Sequence, residues 1–473
     1  MARAIHTVTT AWRDPERVFC SVAAAEPVAV WLDTGRAATA GRSVIGISDA
    51  ADVLVASLDS SDPVAVLTAL RGRLERTSAS LGDPTATSPL GWVGWLSYEF
   101  GAANLGVPFS ETGTPDAAFL FLDRAIVCDH ATRTIELHWL DDDADPQNTS
   151  RARWAMAMLR RVESIDADEP AGADPIAATT TAPAVPGGHG ASVIWRESPE
   201  HYRELIEACQ DAIVRGDAYQ LCLTTQAEVA ADVDPVAAYL RLRRVSPSHH
   251  GGYLRFGDVA LLSASPEQFL LVDRDGTVTT KPMKGTRRRS DDPAADAALR
   301  AELLASDKER AENLMIVDLM RNDLSKVAEL GSVQVTALHA VEAYPQVFQL
   351  VSSVSAKLRP GLTALDAVVE TFPAGSMTGA PKISAMNLLH GFERGPRGIY
   401  SGTFGCLGLD GSADLAMVIR SIVVTPGRAT IGTGGGITAL SVPVDEVEET
   451  RLKARALIAV LTGDTADRAE VSR

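Results

Sequence analysis

"SDKERAENLMIVDLMRNDL", residues 306 to 324, has the apolar period of an α-helix. Ser306 and Glu309 stand in the S-x-x-E spacing of a capping box, which marks its start. Leu314, Ile316, Val317, Met320 and Leu324 give it a broad apolar face. The segments around it read differently. "AYQLCLTTQAEV" (218–229) and "VALLSASPEQFLLV" (259–272) have the composition of strands, while "SPEHYRELIEACQDAIVRG" (198–216) and 445–462 read as further helices. Strands and helices alternate without the regular βα order of a barrel, which predicts a mixed α/β or α+β fold.

The N-terminal part looks strand-rich, through "VAVWLDTG" (28–35), "GWVGWLSYEFG" (91–101), "AAFLFLDRAIVCDH" (117–130) and "TIELHWL" (134–140). Between the two parts, residues 166–192 are rich in Ala, Pro, Thr and Gly with no periodic apolar face, as in a linker or long surface loop. The expected division is an N-terminal region over 1–165 and a C-terminal region over 193–465.

The 473 residues carry a net charge of −17 and are 46% hydrophobic. That balance argues against nucleic acid or an anionic membrane as partner, since both select cationic surfaces. No stretch is long and apolar enough for a signal peptide or a membrane span. Cys20, Cys128, Cys209, Cys222 and Cys406 are scattered and never form CxxC, which suits a reduced cytoplasm and makes a zinc site unexpected. The expectation is a soluble cytoplasmic protein.

Against the acidic background, "KPMKGTRRR" (281–289) packs five cations into nine residues. Lys284 there is a solvated charge, a phosphate clamp or a reactive amine. Glu309 and Glu312 share one side of the 306–324 helix near its positive end. Glu446 and Glu449 repeat the i,i+3 spacing in "SVPVDEVEETRLKARALIAVL" (441–461), with Lys453 at i+4 from Glu449. Two such pairs either compensate helix dipoles or serve Mg²⁺, an ion that needs few carboxylates. "GTGGGIT" (432–438) is a turn or a backbone cradle for a carboxylate; Ile437 stands where a dinucleotide fingerprint needs glycine. Glu267, in "SPEQFL" (265–270), reads on its own as an ordinary loop acid.

In this order the pieces resemble one family, the chorismate-utilising enzymes. The resemblance rests on "GDAYQLCLTTQ" (216–226), "SPEQFL", "KPMKGT" (281–286), "DKERAENLMIVDLMRNDL" (307–324), "FPAGSMTGAPK" (372–382), "RGIYSGTFG" (397–405), "GTGGGI" (432–437) and "EVEETRLKA" (446–454). It implies two large β-sheets packed as a sandwich flanked by helices, with both sequence halves woven into one unit. It further implies Mg²⁺ on Glu312 and Glu449 with Glu446 and Glu309 nearby. Tyr400, Arg420 and the amides of Gly434, Gly435 and Gly436 would bind a substrate carboxylate. Thr378 would line the pocket, and Lys382 and Lys453 would add positive charge.

Within the family, anthranilate synthase large subunits resemble "PIAGT", with alanine where this chain has Lys284. Aminodeoxychorismate synthase large subunits resemble "PIKGT", and this chain reads "PMKGT". The resemblance therefore implies a covalent role for Lys284, with Glu267 as general acid and ammonia as the incoming nucleophile. Lys281 and Arg287 to Arg289 are expected to keep the Lys284 amine uncharged. "AVWLDTG" lacks the "LLES"-like tryptophan-binding string of anthranilate synthases. Two positions depart from the family: Gln349 replaces a common histidine and Arg288 a common proline. No Cys-His-Glu glutaminase is recognisable, so the ammonia is expected from a glutamine amidotransferase partner. The rival expectations are anthranilate synthase component I and a non-catalytic chorismate-binding subunit.

Overall fold

The computed structural model describes residues 3–47, 52–82, 88–141, 149–166, 192–344 and 347–463. The expected linker lies outside the described residues except for its two ends. Five helices start at a proline directly after an Asp or Ser whose side chain accepts a hydrogen bond from a first-turn N–H: Pro15–Val22, Pro63–Ser80, Pro199–Val214, Pro235–Val245 and Pro293–Ala305. The proline sets helical φ where no N–H is needed, and the preceding side chain satisfies a donor that the helix leaves free.

Strands form two large sheets, of 12 and 10 strands, and every strand pair named here is antiparallel. Each sheet draws strands from both sides of residues 167–191: Val28–Asp33 pairs with His250–Phe256 in one, and Gly91–Leu96 with Thr403–Gly408 in the other. One apolar core fills the space between the sheets, from Val30 and Leu254 on one side to Trp95, Phe269 and Phe404 on the other. A second core joins the outer face of the 12-stranded sheet to its helices, including Pro443–Thr462. Each fully buried Leu, Ile or Phe in these cores contributes roughly 1.5–3 kcal/mol. Among the described residues no helix is long and apolar enough to cross a membrane.

Two segments that read as single strands divide between the sheets. "AAFLFLDRAIVCDH" breaks at Asp123 into Ala117–Leu122 in one sheet and Arg124–Asp129 in the other. "VALLSASPEQFLLV" breaks at Pro266-Glu267 into Val259–Ser265 and Gln268–Val272. The neighbouring chain makes the same passage from Ala413–Met417 to Ser421–Thr425, with Val418 to Arg420 between them. Backbone hydrogen bonds tie the crossings together: Met417 N–H donates to Glu267 O at 3.0 Å and Ala264 N–H to Arg420 O at 3.2 Å. Glu267 and Arg420 thus project from paired sheet crossings, where the backbone leaves both ladders and its side chains are free to face a cleft.

Candidate active site

Lys284 lies on the strand Met283–Arg288, which pairs with Val347–Lys357 at the end of the 10-stranded sheet. The register shifts between Lys284 and Thr286, and Gly285 between them has φ +70°. This is a glycine bulge, a device that re-aims side chains. A side chain at Gly285 would also meet the Glu309 carboxylate at 2.9 Å and Leu303 at 2.8 Å. Beyond the bulge Thr286 donates to Gln349 Oε1 at 2.9 Å, which gives the glutamine a partner across the strands. Arg288 continues the strand opposite Val347.

The bulge turns Lys284 inward and leaves the arginines outside. Arg287 pairs with Glu302 at 2.5 Å and Arg289 with Asp296 at 2.8 Å, both acids on the helix Pro293–Ala305. The expectation that these cations lower the Lys284 pKa is overturned. Instead the Lys284 amine lies 3.7 Å from Glu312, largely buried. Burial, the largest single effect, would lower its pKa, but Glu312, Cys222, Glu267 and Glu449 together outweigh it, so the group sits above the ordinary lysine value. At rest Lys284 is an ammonium in a carboxylate nest.

Glu267 is buried, and burial pushes its carboxyl up to about 7 from an ordinary 4.5, against a hydrogen bond from Ser376, the nearby Lys284 charge and the Met283 N–H. A carboxyl poised near neutrality beside an amine suits general acid chemistry. Gln220 completes this group. It is buried, and its Oε1 has no hydrogen-bond partner among the described residues. Its Nε2 would lie 2.4 Å, and the Lys284 amine 2.8 Å, from a Cβ on Gly436. Both side chains occupy the space that this glycine leaves open. Sequence reasoning missed Gln220, because a glutamine within a strand gives no periodic or spacing signal.

The acidic pairs on the two helices converge as expected, but not symmetrically. Glu312 and Glu446 are buried, and Glu449 is open to solvent. Lys308, not singled out from the sequence, bridges the helices by donating to Glu446 at 3.3 Å. Lys453 contacts Glu449 at 2.7 Å and donates to Gly434 O at 2.9 Å. Burial raises the Glu312 pKa against Lys284, with Glu309 adding; for Glu449 burial would raise it, but Lys453, Lys308 and Lys284 together outweigh burial and the net shift is down. The capping box is only half formed. Ser306 accepts from the Glu309 N–H at 3.4 Å, while the Glu309 carboxylate turns to Arg287 at 3.6 Å.

No three ligating side chains among the described residues form a pre-built metal site. The donors here are all carboxylate oxygens, and lysine ammonium groups balance Glu312, Glu446 and Glu449. Such a set fits Mg²⁺, which takes one or two carboxylates and fills its shell with water and substrate oxygens. Glu312, Glu449 and Glu446 are the residues that could hold it; Glu309 lies to one side.

"GTGGGI" is not a loop. It is the end of the strand Arg428–Ile437, paired with Gln220–Ala230 from Leu221↔Ile437 to Ala230↔Arg428. In such a ladder alternate residues turn their backbone groups to the partner strand. Gly434 points its carbonyl at Lys453, so Gly434 and Gly436 face away from the partner and Gly435 faces it. The cradle of three amides is therefore one of two. The glycines also admit side chains. A Cβ on Gly432 would meet the Tyr400 ring at 2.0 Å, and one on Gly435 would meet Glu446 at 3.1 Å.

Arg420 has φ +52°, a left-handed backbone that an L-residue adopts at a cost of roughly 1–3 kcal/mol. Its guanidinium makes no hydrogen bond or ion pair among the described residues, and it is open to solvent. Surrounding protein atoms lower its pKa, with Tyr400 and Glu449 opposing. An exposed guanidinium with no partner among the described residues is open to an anionic ligand. Tyr400 is near enough to interact with the Arg420 guanidinium electrostatically, and burial raises the Tyr400 phenol pKa.

Two expected pocket residues have their side-chain polar groups engaged within the fold. Lys382 is buried, pairs with Asp323 at 2.6 Å and donates to Thr371 O and Pro373 O at 2.8 Å each. Its charge is consumed in packing a helix start and does not reach the site. Thr378 is fully buried and gives its hydroxyl to Ala374 O and Gly375 O, so it holds a turn. Behind the site Arg397 is an unforeseen hub. It pairs with Glu393 at 2.7 Å, donates to Met377 O at 2.6 Å and Cys222 O at 2.8 Å, and lies 4.1 Å over the Tyr98 ring.

The arrangement combines an amine, a near-neutral acid, a carboxylate group fit for Mg²⁺ and an unpaired guanidinium. It can bind a multiply charged anion and do covalent chemistry on it. Comparison with known proteins agrees. The family model described as chorismate binding enzyme matches residues 28–459. "Aminodeoxychorismate synthase" of Streptomyces griseus is 46% identical over 80% of this chain and 50% of that protein. The protein of the same name from Streptomyces pristinaespiralis is 40% identical over 95% of this chain and 64% of its own length. The chain thus spans half to nearly two thirds of these relatives. Anthranilate synthase component I from Streptococcus pneumoniae superposes with a TM-score of 0.73 at 28% identity, covering 89% of this chain and 93% of that one. The chain belongs to the chorismate binding enzymes.

Proposed function

We propose that the chain is an aminodeoxychorismate synthase component I, converting chorismate and ammonia to 4-amino-4-deoxychorismate for 4-aminobenzoate and folate synthesis in the cytoplasm. The observation that carries this reading is the Lys284 amine, buried beside Glu312 and Glu267 in the space opened by Gly436. Identity to two relatives of that name supports it.

Arg420 and the amides of Gly434 and Gly436 would bind one substrate carboxylate, since a planar guanidinium matches that group. Glu312 and Glu449, with Glu446, would hold Mg²⁺, which when bound supplies Lewis-acid contact to the other carboxylate. Lys284, after giving its ammonium proton to water, attacks C2 of the ring while the two conjugated ring double bonds shift and the C4–O bond breaks. Glu267 gives its proton to the departing oxygen, which leaves as water. Ammonia then forms a C–N bond at C4, the two double bonds shift back, and the C2–N bond breaks to return the lysine as a neutral amine. A proton from the incoming nitrogen restores the Glu267 carboxyl, and the released Lys284 amine takes a proton back from water, so the enzyme ends as it began. The ammonia would come from glutamine through a separate amidotransferase, and free ammonium should replace it.

Lys284→Ala tests the reading. It should abolish 4-amino-4-deoxychorismate formation from chorismate, Mg²⁺ and ammonium while leaving the thermal midpoint within a few degrees. Undiminished turnover would remove the covalent role.

A further inference from the structure

Asn313 has no exposed surface and stands in the helix Asp307–Ser325 directly after Glu312. A buried amide inside a helix is costly unless its polar atoms find partners. Here the partners form a chain that leads toward Lys284. The His339 N–H donates to Ser352 Oγ at 3.0 Å, and Ser352, equally buried, donates its own proton to Asn313 Oδ1 at 2.5 Å. That fixes which way the Asn313 amide faces. Its Nδ2 donates to the Pro282 carbonyl at 3.4 Å, and the Ser352 N–H donates to the same oxygen at 3.1 Å.

The Pro282–Met283 peptide has two ends. Its C=O takes both of these hydrogen bonds, and its N–H is the one that reaches the Glu267 carboxyl. A planar trans peptide points the two groups in opposite directions, so holding the oxygen aims the N–H. Hydrogen bonds at the oxygen also polarise the N–H as a donor. Glu267 is otherwise faced by Ser376, from the turn Gly375–Met377, and by Lys284. Lys284 follows Met283 on one strand, and Glu312, 3.7 Å from its amine, precedes Asn313 on the helix. One buried amide thus ties together the acid, the amine and the carboxylate that balances the amine.

We infer that Asn313, oriented by Ser352, is a positioning residue: it clamps the Pro282–Met283 peptide, aims the Met283 N–H at the Glu267 carboxyl and fixes the strand that presents Lys284. The inference rests on the proposed reaction, in which Glu267 protonates the departing oxygen. A hydrogen bond from the Met283 N–H favours the charged form of that carboxyl. Loosening the peptide removes this support, so Glu267 keeps its proton to higher pH while the acid and the amine lose their alignment. Arg420 stands on a different element, the crossing from Val418 to Arg420, so binding of the substrate carboxylate is spared.

The test uses the full chain with Asn313→Ala, which removes the amide, and Ser352→Ala, which removes only the hydroxyl that orients it. With chorismate, ammonium and saturating Mg²⁺, kcat should fall at least about tenfold in the first variant and by less in the second, while KM for chorismate stays within about threefold. The alkaline limb of the pH profile should move up by about one pH unit, the size of a lost hydrogen bond to a charged group. The infrared band of the protonated Glu267 carboxyl, assigned by its loss in Glu267→Gln, should shift its titration midpoint upward by the same amount without any substrate. In the Glu267→Gln background Asn313→Ala should add little further loss, whereas a residue that only supports the fold would lower both backgrounds alike. If Asn313→Ala does not fold, Ser352→Ala decides. An unmoved infrared midpoint, or a rise in KM equal to the fall in kcat, overturns the inference. Failure of the parent chain to use ammonium, with the infrared midpoint still moved in the variants, counts instead against the proposed reaction.

Discussion

The Lys284 amine, 3.7 Å from the Glu312 carboxylate, lies 2.8 Å from the point where a Cβ on Gly436 would sit. The glycine and the lysine are on different sheets, and each defines the other's position. Gly436→Ala should therefore displace the amine and the Gln220 amide, the flexible ends of two side chains, and leave the backbone in place. The expected result is a loss of turnover of about 100-fold, the scale of a 1 Å misplacement at a reacting centre, with the thermal midpoint almost unchanged. An alanine variant with parental turnover would show that this space is not needed by the amine.

Glu267 makes a pH prediction with a definite sign. Its folded pKa of about 7 lies above the ordinary 4.5, so the folded state holds this proton more tightly than the unfolded one. The stability this provides is complete below about pH 4.5 and is lost as pH rises toward 7. Above 7 the buried carboxylate costs about 3 kcal/mol. Glu267→Gln removes that penalty and the acid together. Denaturant unfolding at pH 8 should find the variant more stable than the parent, while turnover falls at least about 100-fold. Parental turnover should itself decline above pH 7, as the acid form disappears.

Arg397 and Glu393 have almost no exposed side-chain surface, and the pair also fixes Thr224, whose N–H donates to Glu393 at 2.8 Å. Arg397→Met leaves the Glu393 carboxylate buried without its counter-charge. Unfolding free energy should drop by roughly 3–5 kcal/mol. A drop below 1 kcal/mol would mean that water reaches the pair.

Glu449 is the most open of the candidate Mg²⁺ ligands and is balanced by Lys453. Glu449→Gln should raise the Mg²⁺ concentration needed for half-maximal turnover by about tenfold or more, and chelation should abolish turnover in the parent. A parental Mg²⁺ titration in the variant would place the ion elsewhere.

Much of the fold was legible because its signals are local. The helices at 199–214, 307–325 and 443–462 announce themselves through apolar period and first-turn residues, and the strand runs through composition. The sheet crossings were not legible. Nothing in "LDRA" or "SPEQ" says that the strand before belongs to one sheet and the strand after to the other, since that choice is set by pairing with strands elsewhere in the chain, Val53–Ala56 and Arg42–Ile47 for the first segment and Ser421–Thr425 and Ala413–Met417 for the second.

The site divides along the same line. Lys284, Glu312, Glu446 and Glu449 meet, through spacing and resemblance together. The arginines after Lys284 were misjudged because charge density along the chain ignores the bulge at Gly285, which turns them toward Glu302 and Asp296. Lys382 was misjudged because Asp323, its partner, lies on a different helix. Gln220 and Arg397 carry no local signal at all; only their burial and their contacts distinguish them.

The central claim is that Lys284 directs chorismate toward amination at C4 with the enolpyruvyl side chain retained. Mass spectrometry of the product formed by the pure chain from chorismate, Mg²⁺ and ammonium tests it most directly. The account predicts 4-amino-4-deoxychorismate and no free pyruvate. Anthranilate together with free pyruvate would contradict it.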